Sequence, residues 1–241
     1  MRRTTMVCVA ALLAAGAVNA IELDGGWMLA LDPGNCGKTN GWAAAVRDDA
    51  KPVPVPGVIQ QVYPYDCGVA WYYRRVARPK ADAQERVMLR FGAVDYFCDV
   101  YLDGQKIGSH EGAESPFAFD VTDTLKEDTL LAVRVINPGE EMIEGFTCKT
   151  IPHRNKHDKM EFRPGWCYNT GGIMLPVSLE VVPAVRVTDA FVKADWKTGR
   201  VTVETTVRND SGAPCKKDIT FVVYTDDAPN PVCTVTRPRE L

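Results

Sequence analysis

Short stretches of alternating apolar and polar residues recur along almost the whole chain after residue 20. Alternation with a period of two is typical of a β-strand with one buried face, and no segment keeps a helical period over three turns. Trp71–Val76 mixes aromatic and long charged side chains, which predicts a half-exposed strand. The other predicted strands are Trp27–Leu31, Val87–Phe91, Phe97–Leu102, Phe117–Val121, Leu130–Ile136 and Val177–Val182. Many short strands at roughly 8–12-residue spacing predict an all-β sandwich or barrel.

The strongest turn signal is Asp103-Gly104, which separates Phe97–Leu102 from the stretch that begins at Gln105. A two-residue type I′ turn needs positive φ at both positions, and Asp-Gly tolerates this geometry. The sequence therefore predicts a tight hairpin here.

A long connection follows between Pro138 and Pro176, with little alternation and many polar groups. Loops of this length inside compact domains are usually functional or disordered. Its aromatic residues Phe146, Phe162, Trp166 and Tyr168 favour a packed loop over a disordered one.

A second set of predicted strands begins after Pro183, at Val185–Val192, Val201–Val207 and Ile219–Tyr224. This spacing is typical of an immunoglobulin-like sandwich, which takes about seven strands and roughly 100 residues. Residues 184–241 are too few for that, so we expect an incomplete domain. A complete fold with an exposed apolar edge is the alternative, and such edges invite aggregation.

The N-terminus has the order of a secretory signal: basic Arg2 and Arg3, apolar Val7–Val18, then small residues around Ala20. We expect residues 1–20 to be removed and the protein to be secreted or periplasmic. A retained membrane anchor or a buried helix is the alternative, although the apolar stretch is shorter than the ~20 residues that span a bilayer.

Charge and cysteine content exclude several classes of partner. The net charge of −3 falls to about −5 once Arg2 and Arg3 are removed. This balance argues against nucleic acid or an anionic membrane as a partner, because both require clustered Lys and Arg. Seven widely spaced cysteines remain, with no CxxC pair for zinc, and Cys98 is predicted to be a small buried residue.

Several short motifs follow one another along the chain: Val55-Pro-Gly-Val58, Gly68-Val-Ala-Trp-Tyr72 with Arg74-Arg75, Phe91-Gly-Ala-Val-Asp95, Val100-Tyr-Leu-Asp-Gly104, Gly108 to Phe119, and Tyr168-Asn-Thr-Gly-Gly-Ile173 with Pro176-Val-Ser-Leu-Glu180. Taken in this order, they resemble the N-terminal sugar-binding domain of glycoside hydrolase family 2, the family of β-galactosidases, β-glucuronidases and β-mannosidases. Ile59 stands where the family commonly has Trp. The resemblance implies a jelly-roll, galactose-binding-like sandwich over 21–183, followed by the partial immunoglobulin-like domain over 184–241.

The resemblance also implies which residues contact sugar. In the family, loops of this domain reach the rim of an active site that lies on a later (β/α)8 barrel. Trp166 stands where a rim carboxylate is expected, and it could stack on a sugar or pack the loop. Tyr65 and Asp66 could face substrate or form a turn. Tyr168 and Asn169, from the same run as Gly171, complete the candidates.

The catalytic signature of the family is absent from the chain. Retaining members use two glutamates about 5 Å apart, the acid/base following an Asn, and no Asn-Glu pair occurs here. Glu140-Glu141 is expected to be solvated charge. His153 and His157 would share a metal only on a helix, so neither a metal nor a cofactor is predicted.

We therefore expect the non-catalytic N-terminal portion of a secreted family 2 β-glycosidase, with a terminal β-linked sugar as the partner of the complete enzyme. One alternative is a stand-alone carbohydrate-binding module with Trp71, Trp166 and Tyr168 as an exposed aromatic platform. Another is a structural or assembly role in a homo-oligomer. An intrinsically active small hydrolase is the least favoured hypothesis.

Overall fold

The computed structural model describes residues 7–12, 19–64, 66–151, 156–157, 167–225 and 230–241, with backbone alone at 7–12, 156–157, 167–168 and 225. Within these ranges the regular structure is β-strand, apart from two short 3-10 turns at Trp42–Ala44 and Ile59–Gln61. The strands are β1 (Val7–Leu12), β2 (Asn19–Glu22), β3 (Trp27–Leu31), β4 (Lys51–Val53), β5 (Gly68–Val76), β6 (Glu85–Phe91), β7 (Val94–Asp95), β8 (Phe97–Leu102), β9 (Gln105–Glu111), β10 (Phe117–Asp120), β11 (Thr129–Asn137), β12 (Lys156–His157), β13 (Cys167–Tyr168), β14 (Gly172–Ile173), β15 (Val177–Pro183), β16 (Val185–Asp195), β17 (Arg200–Asn209), β18 (Lys216–Thr225) and β19 (Cys233–Glu240). The all-β prediction is confirmed.

The chain divides into two compact units, and the larger comprises Ala20–Lys80 with the described residues of Val87–Glu180. Its main sheet has six strands in the order β4-β3-β5-β11-β8-β9, paired antiparallel throughout. A four-stranded sheet has the order β10-β6-β15-β2. This is the β-sandwich architecture that the alternating pattern predicted.

The predicted Asp103-Gly104 hairpin is confirmed. Both residues have positive φ, 46° and 84°, and they join β8 to β9. The Asp103 carboxylate accepts hydrogen bonds from Leu130 N at 2.8 Å and Lys126 Nζ at 2.9 Å. These bonds hold the carboxylate in place and explain why a non-glycine residue adopts the left-handed conformation here.

The prediction of a half-exposed strand at Trp71–Val76 is wrong for its three aromatic residues. Trp71, Tyr72 and Tyr73 are all fully buried. Tyr72 packs edge-on against Trp27, whereas Trp71 and Tyr73 belong to a second apolar cluster. Because loops carrying Trp42 and Phe146 pack against that second cluster, the side of β5 that carries Trp71 and Tyr73 is closed to solvent. Trp71 therefore offers no exposed platform for a sugar.

A buried arginine organises the same side of the sheet. Arg134 on β11 is fully buried, with its guanidinium 3.2 Å from Asp99 and 2.8 Å from Glu144. Asn35 Oδ1 accepts a further bond from Arg134, and Lys38 pairs with Glu144 at 2.7 Å. The network ties two loops, at residues 35–38 and at residue 144, to the central strands.

The described first part of the long connection is packed, as its aromatic content predicted. Phe146 stacks on Phe97 with ring centroids 4.8 Å apart and meets Tyr96 edge-on at 5.9 Å. Thr147 and Cys148 are buried beside it. Phe162 and Trp166 lie outside the described residues.

The smaller unit comprises Ala81–Arg86 and the described residues of Met1–Asn19 and Val181–Leu241. It contains the hairpin β16-β17 and a sheet in the order β1-β18-β19. Apolar side chains of β17, β18 and β19, among them Val203, Phe221 and Val235, line a cavity of about 710 Å³. Strand β19 was not predicted, because its sequence CTVTRPRE places polar residues on both sides of the strand.

The apolar segment predicted to be a signal contributes strand β1. It pairs antiparallel with β18, from Val7 opposite Thr225 to Leu12 opposite Thr220. This pairing is seen with residues 1–20 still attached, so their removal and the division at residue 183 stay predictions. The described ranges hold no helix with the length and apolarity that a bilayer crossing needs.

Candidate carbohydrate-contact site

Three segments meet where β11 ends at Asn137. Asn137 lies opposite Gly68 at the start of β5. The loop that leads into Gly68 is bound to the 169–173 segment, because Ile59 N donates to Gly171 O and Gly57 N donates to Ile173 O, both at 2.8 Å. The family-like segments at Val55–Val58 and Tyr168–Ile173 are therefore neighbours in space.

Gln60 links these segments through its side chain. Its Nε2 donates to Asp66 O at 2.6 Å, while its Oε1 accepts from Gly171 N at 3.3 Å. Sequence reasoning missed Gln60, although it lies two residues after the Val55–Val58 motif. The bond to Gly171 spans 111 residues of sequence, and no local pattern encodes it.

Asp66 is exposed, and its backbone N–H donates to Tyr63 O at 3.3 Å in a turn, so a role at a substrate rim stays a prediction. Burial, followed by the Asp49 and Asp66 carboxylates, raises the pKa of Tyr63. Lys51 Nζ lies over the Tyr63 ring, 4.4 Å from its centroid. Asp66 therefore takes part in a turn through its backbone, and its side chain is exposed.

Asn169 is buried, with 5% of its surface exposed, and its Nδ2 donates to Pro138 O at 3.0 Å. The side chain thus anchors the 169–173 segment to the residue that follows β11. Direct contact between Asn169 and a sugar stays a prediction.

The structure gives less information on the other three predicted contact residues, Tyr65, Trp166 and Tyr168. Tyr168 lies in β13, opposite His157 of β12 in a parallel pairing, and its side chain is outside the description. Tyr65 and Trp166 lie outside the described residues altogether. The structure therefore brings together the segments that carry Asp66 and Asn169.

Glycine is required at the centre of the site. A Cβ on Gly171 would lie 2.5 Å from Asn137 Cγ. Gly172 has φ of +139°, and a Cβ there would lie 2.5 Å from Tyr72 Oη. Burial raises the pKa of Tyr72, so this phenol stays protonated beneath the glycine pair.

The groups of this site are polar: the exposed Asp66 carboxylate, the side-chain amides of Gln60 and Asn169, and peptide groups of residues 169–173. Groups of these types form hydrogen bonds with hydroxyl groups. Glu140 and Glu141 are exposed, and Glu140 pairs with Lys149 at 3.4 Å, as expected of solvated charge. In the described part of the chain, no three His, Cys, Asp or Glu side chains are arranged to hold a metal. His153 is not described, and only the backbone of His157 is.

Comparison with known families identifies the family to which this chain belongs. Residues 21–144 match the model of the family described as "Glycosyl hydrolases family 2, sugar binding domain". The chain belongs to glycosyl hydrolase family 2, through its sugar-binding domain.

Relatives in this family are named β-glucuronidase in most cases. The chain is 28% identical over 176 residues to a β-glucuronidase of Formosa agariphila, covering 66% of this chain and 17% of the relative. It is 25% identical over 215 residues to that of Canis lupus familiaris, covering 79% of this chain and 31% of the relative. The chain thus spans less than a third of these relatives' length.

Solved structures agree on the fold. A β-glucuronidase of Faecalibacterium prausnitzii superposes with a TM-score of 0.63 at 25% identity, over 93% of this chain and 40% of that one. β-Glucuronidase 2 of Bacteroides uniformis gives a TM-score of 0.69 at 17% identity, over 93% and 26% of the two chains.

Proposed function

We propose that this chain is the non-catalytic, carbohydrate-contacting N-terminal portion of a β-glycosidase whose substrates are β-D-glucuronides. The observation that carries the proposal is the Gln60 bridge, which joins the Asp66 loop to the 169–173 segment. The names of the relatives support the glucuronide as substrate class, because β-glucuronidases predominate among them and a β-galactosidase of Thermoanaerobacter pseudethanolicus matches less well.

Calorimetric titration of the purified chain with methyl β-D-glucuronide and methyl β-D-galactoside tests the proposal. We expect heat of binding for the glucuronide, and a several-fold weaker affinity in a Gln60→Ala variant, because the bridge that positions the Asp66 loop is lost. Gln105→Ala is the matched control, since Gln105 is exposed on β9. Equal affinities in the two variants would show that the Gln60 bridge does not position the groups that contact the sugar.

The assembly hypothesis has a different outcome. A stable dimer in light scattering, with no heat from either glycoside, would favour a structural role over carbohydrate contact. The stand-alone binding module now rests on Trp166 and Tyr168, because Trp71 is buried.

We propose that the protein is exported, to the periplasm or the medium, and loses residues 1–20. N-terminal sequencing of protein from the cell exterior should then begin at Ile21. Recovery of intact chain starting at Met1 inside the cell contradicts this. Cleavage would also take β1 from the edge of β18.

A further inference from the structure

The last residue of β11 carries a buried amide that the fold leaves unused. Asn137 is fully buried, and neither its Nδ2 nor its Oδ1 has a hydrogen-bond partner in the part of the chain that the structure describes. Buried amide groups are nearly always satisfied in native proteins, by protein groups or by ordered water. An amide with both atoms unused therefore points to a bound group.

A second amide lies in the same corner of the fold. Asn169 uses its Nδ2 on Pro138 O, the residue after Asn137, whereas its Oδ1 has no partner among the described residues. Gly171, two residues further on, packs directly against the Asn137 side chain. One amide donor, Asn137 Nδ2, and two carbonyl acceptors, Asn137 Oδ1 and Asn169 Oδ1, thus lie between the end of β11 and the 169–171 segment.

The donor and acceptor types identify the ligand chemistry. Two carbonyl oxygens disfavour an anion, and the amide N–H₂ group disfavours a cation. A hydroxyl both donates and accepts, and a buried water typically makes two to four such bonds. The site therefore suits a hydroxyl group.

We propose that Asn137 and Asn169 form a buried hydroxyl-binding site that holds the 169–171 segment against β11. The hydroxyl is supplied by a water molecule, or by a sugar bound at the rim. The second source rests on the proposed function, and the first is independent of it.

Crystal structures of the protein alone and with methyl β-D-glucuronide separate the two sources. We expect density within about 3.2 Å of both amides. A water in the ligand-free crystal supports the site and makes water its occupant, whatever happens to glucuronide binding. Density that appears only with the glucuronide supports both proposals. Absence of density in both crystals overturns the site.

A second test replaces the Asn137 amide by an apolar group of similar shape and asks whether the thermal midpoint falls or rises. In Asn137→Leu, a real hydroxyl site loses its donor and leaves Asn169 Oδ1 unpaired, so the thermal midpoint should fall by several degrees. If Asn137 has no ligand, removing an unsatisfied amide raises the midpoint instead and overturns the proposal. Asn40→Leu, at an exposed position, is the matched control and should shift the midpoint little.

Discussion

At the scale of single residues, Asp32 determines how the loop after β3 closes. Its carboxylate accepts hydrogen bonds from Cys36 N and Gly37 N, both at 2.8 Å, and from Trp71 Nε1 at 3.0 Å. Only 1% of the residue is exposed. The loop and the central tryptophan therefore share one buried acceptor, and the loop cannot leave without exposing that tryptophan.

We expect Asp32→Asn to destabilise the protein by about 2–4 kcal/mol, because bonds to a charged acceptor contribute about 1.5–3 kcal/mol each and the new amide donors face existing donors. Urea unfolding measures the loss. Asp128→Asn is the control: Asp128 forms an exposed pair with Arg75, so its replacement should cost less than about 1 kcal/mol. Equal losses would contradict the role given to Asp32.

Glu144 gives a pH-dependent contact at the same scale. Burial alone raises the pKa of its carboxyl, but hydrogen bonds from Lys38 and Asn35, together with the Arg134 charge, outweigh burial and lower it. A carboxyl whose pKa is lowered on folding stabilises the fold above its unfolded pKa of about 4.3 and stops doing so as pH falls through the folded value.

Glu144→Gln should therefore cost about 1 kcal/mol at pH 7, and this difference from the unmodified protein should shrink as the pH falls below about 4. Denaturation of both proteins at pH 7 and pH 3 measures it. Glu140→Gln, which removes an exposed pair with Lys149, should show little difference at either pH. A Glu144→Gln deficit that stays constant with pH would argue against the ionic contribution.

At the scale of elements, the sequence predicted strands and turns better than it predicted what covers them. Alternation located β8 at its observed bounds, the apolar run Trp27–Leu31 did the same for β3, and Asp-Gly located the hairpin. Burial of Trp71 was missed because it depends on loops from residues 42 and 146, which no strand pattern describes. The site shows the same division: motifs located the segments of Asp66 and Asn169, but the Gln60 bridge depends on tertiary contact.

Gly171 tests how tightly the site segment packs on β11. Gly171→Ala would place a Cβ 2.5 Å from Asn137 Cγ, and overpacking of this kind typically costs about 1–3 kcal/mol. The expected result is lower stability in urea, with weaker glucuronide affinity as the segment shifts. Gly34→Ala is the control, because a Cβ there meets only Cys36 Sγ at 4.0 Å. A Gly171→Ala variant as stable as the control would show that the contact is loose.

At the scale of the whole molecule, we expect recognition and chemistry to be separable. The described fold is a sugar-binding sandwich of family 2, and the chain spans 17–31% of the length of the first three relatives. Retention requires two carboxylates about 5 Å apart, one as acid/base and one as nucleophile. The sequence contains no Asn-Glu pair, which the resemblance gives as the family's acid/base signature.

We therefore expect this chain, purified alone, to release no nitrophenol from p-nitrophenyl β-D-glucuronide or p-nitrophenyl β-D-galactoside above the rate in buffer. Any trace of activity must be shown to come from this chain and not from a contaminating enzyme, so the assay includes the Asp66→Asn and Gln60→Ala variants. Contaminating enzyme would give a rate that neither substitution changes, whereas catalysis at this site would fall with at least one of them. Activity that falls in the Asp66→Asn or Gln60→Ala variant would overturn the separation of recognition from chemistry. Glucuronide binding without release of nitrophenol would support it.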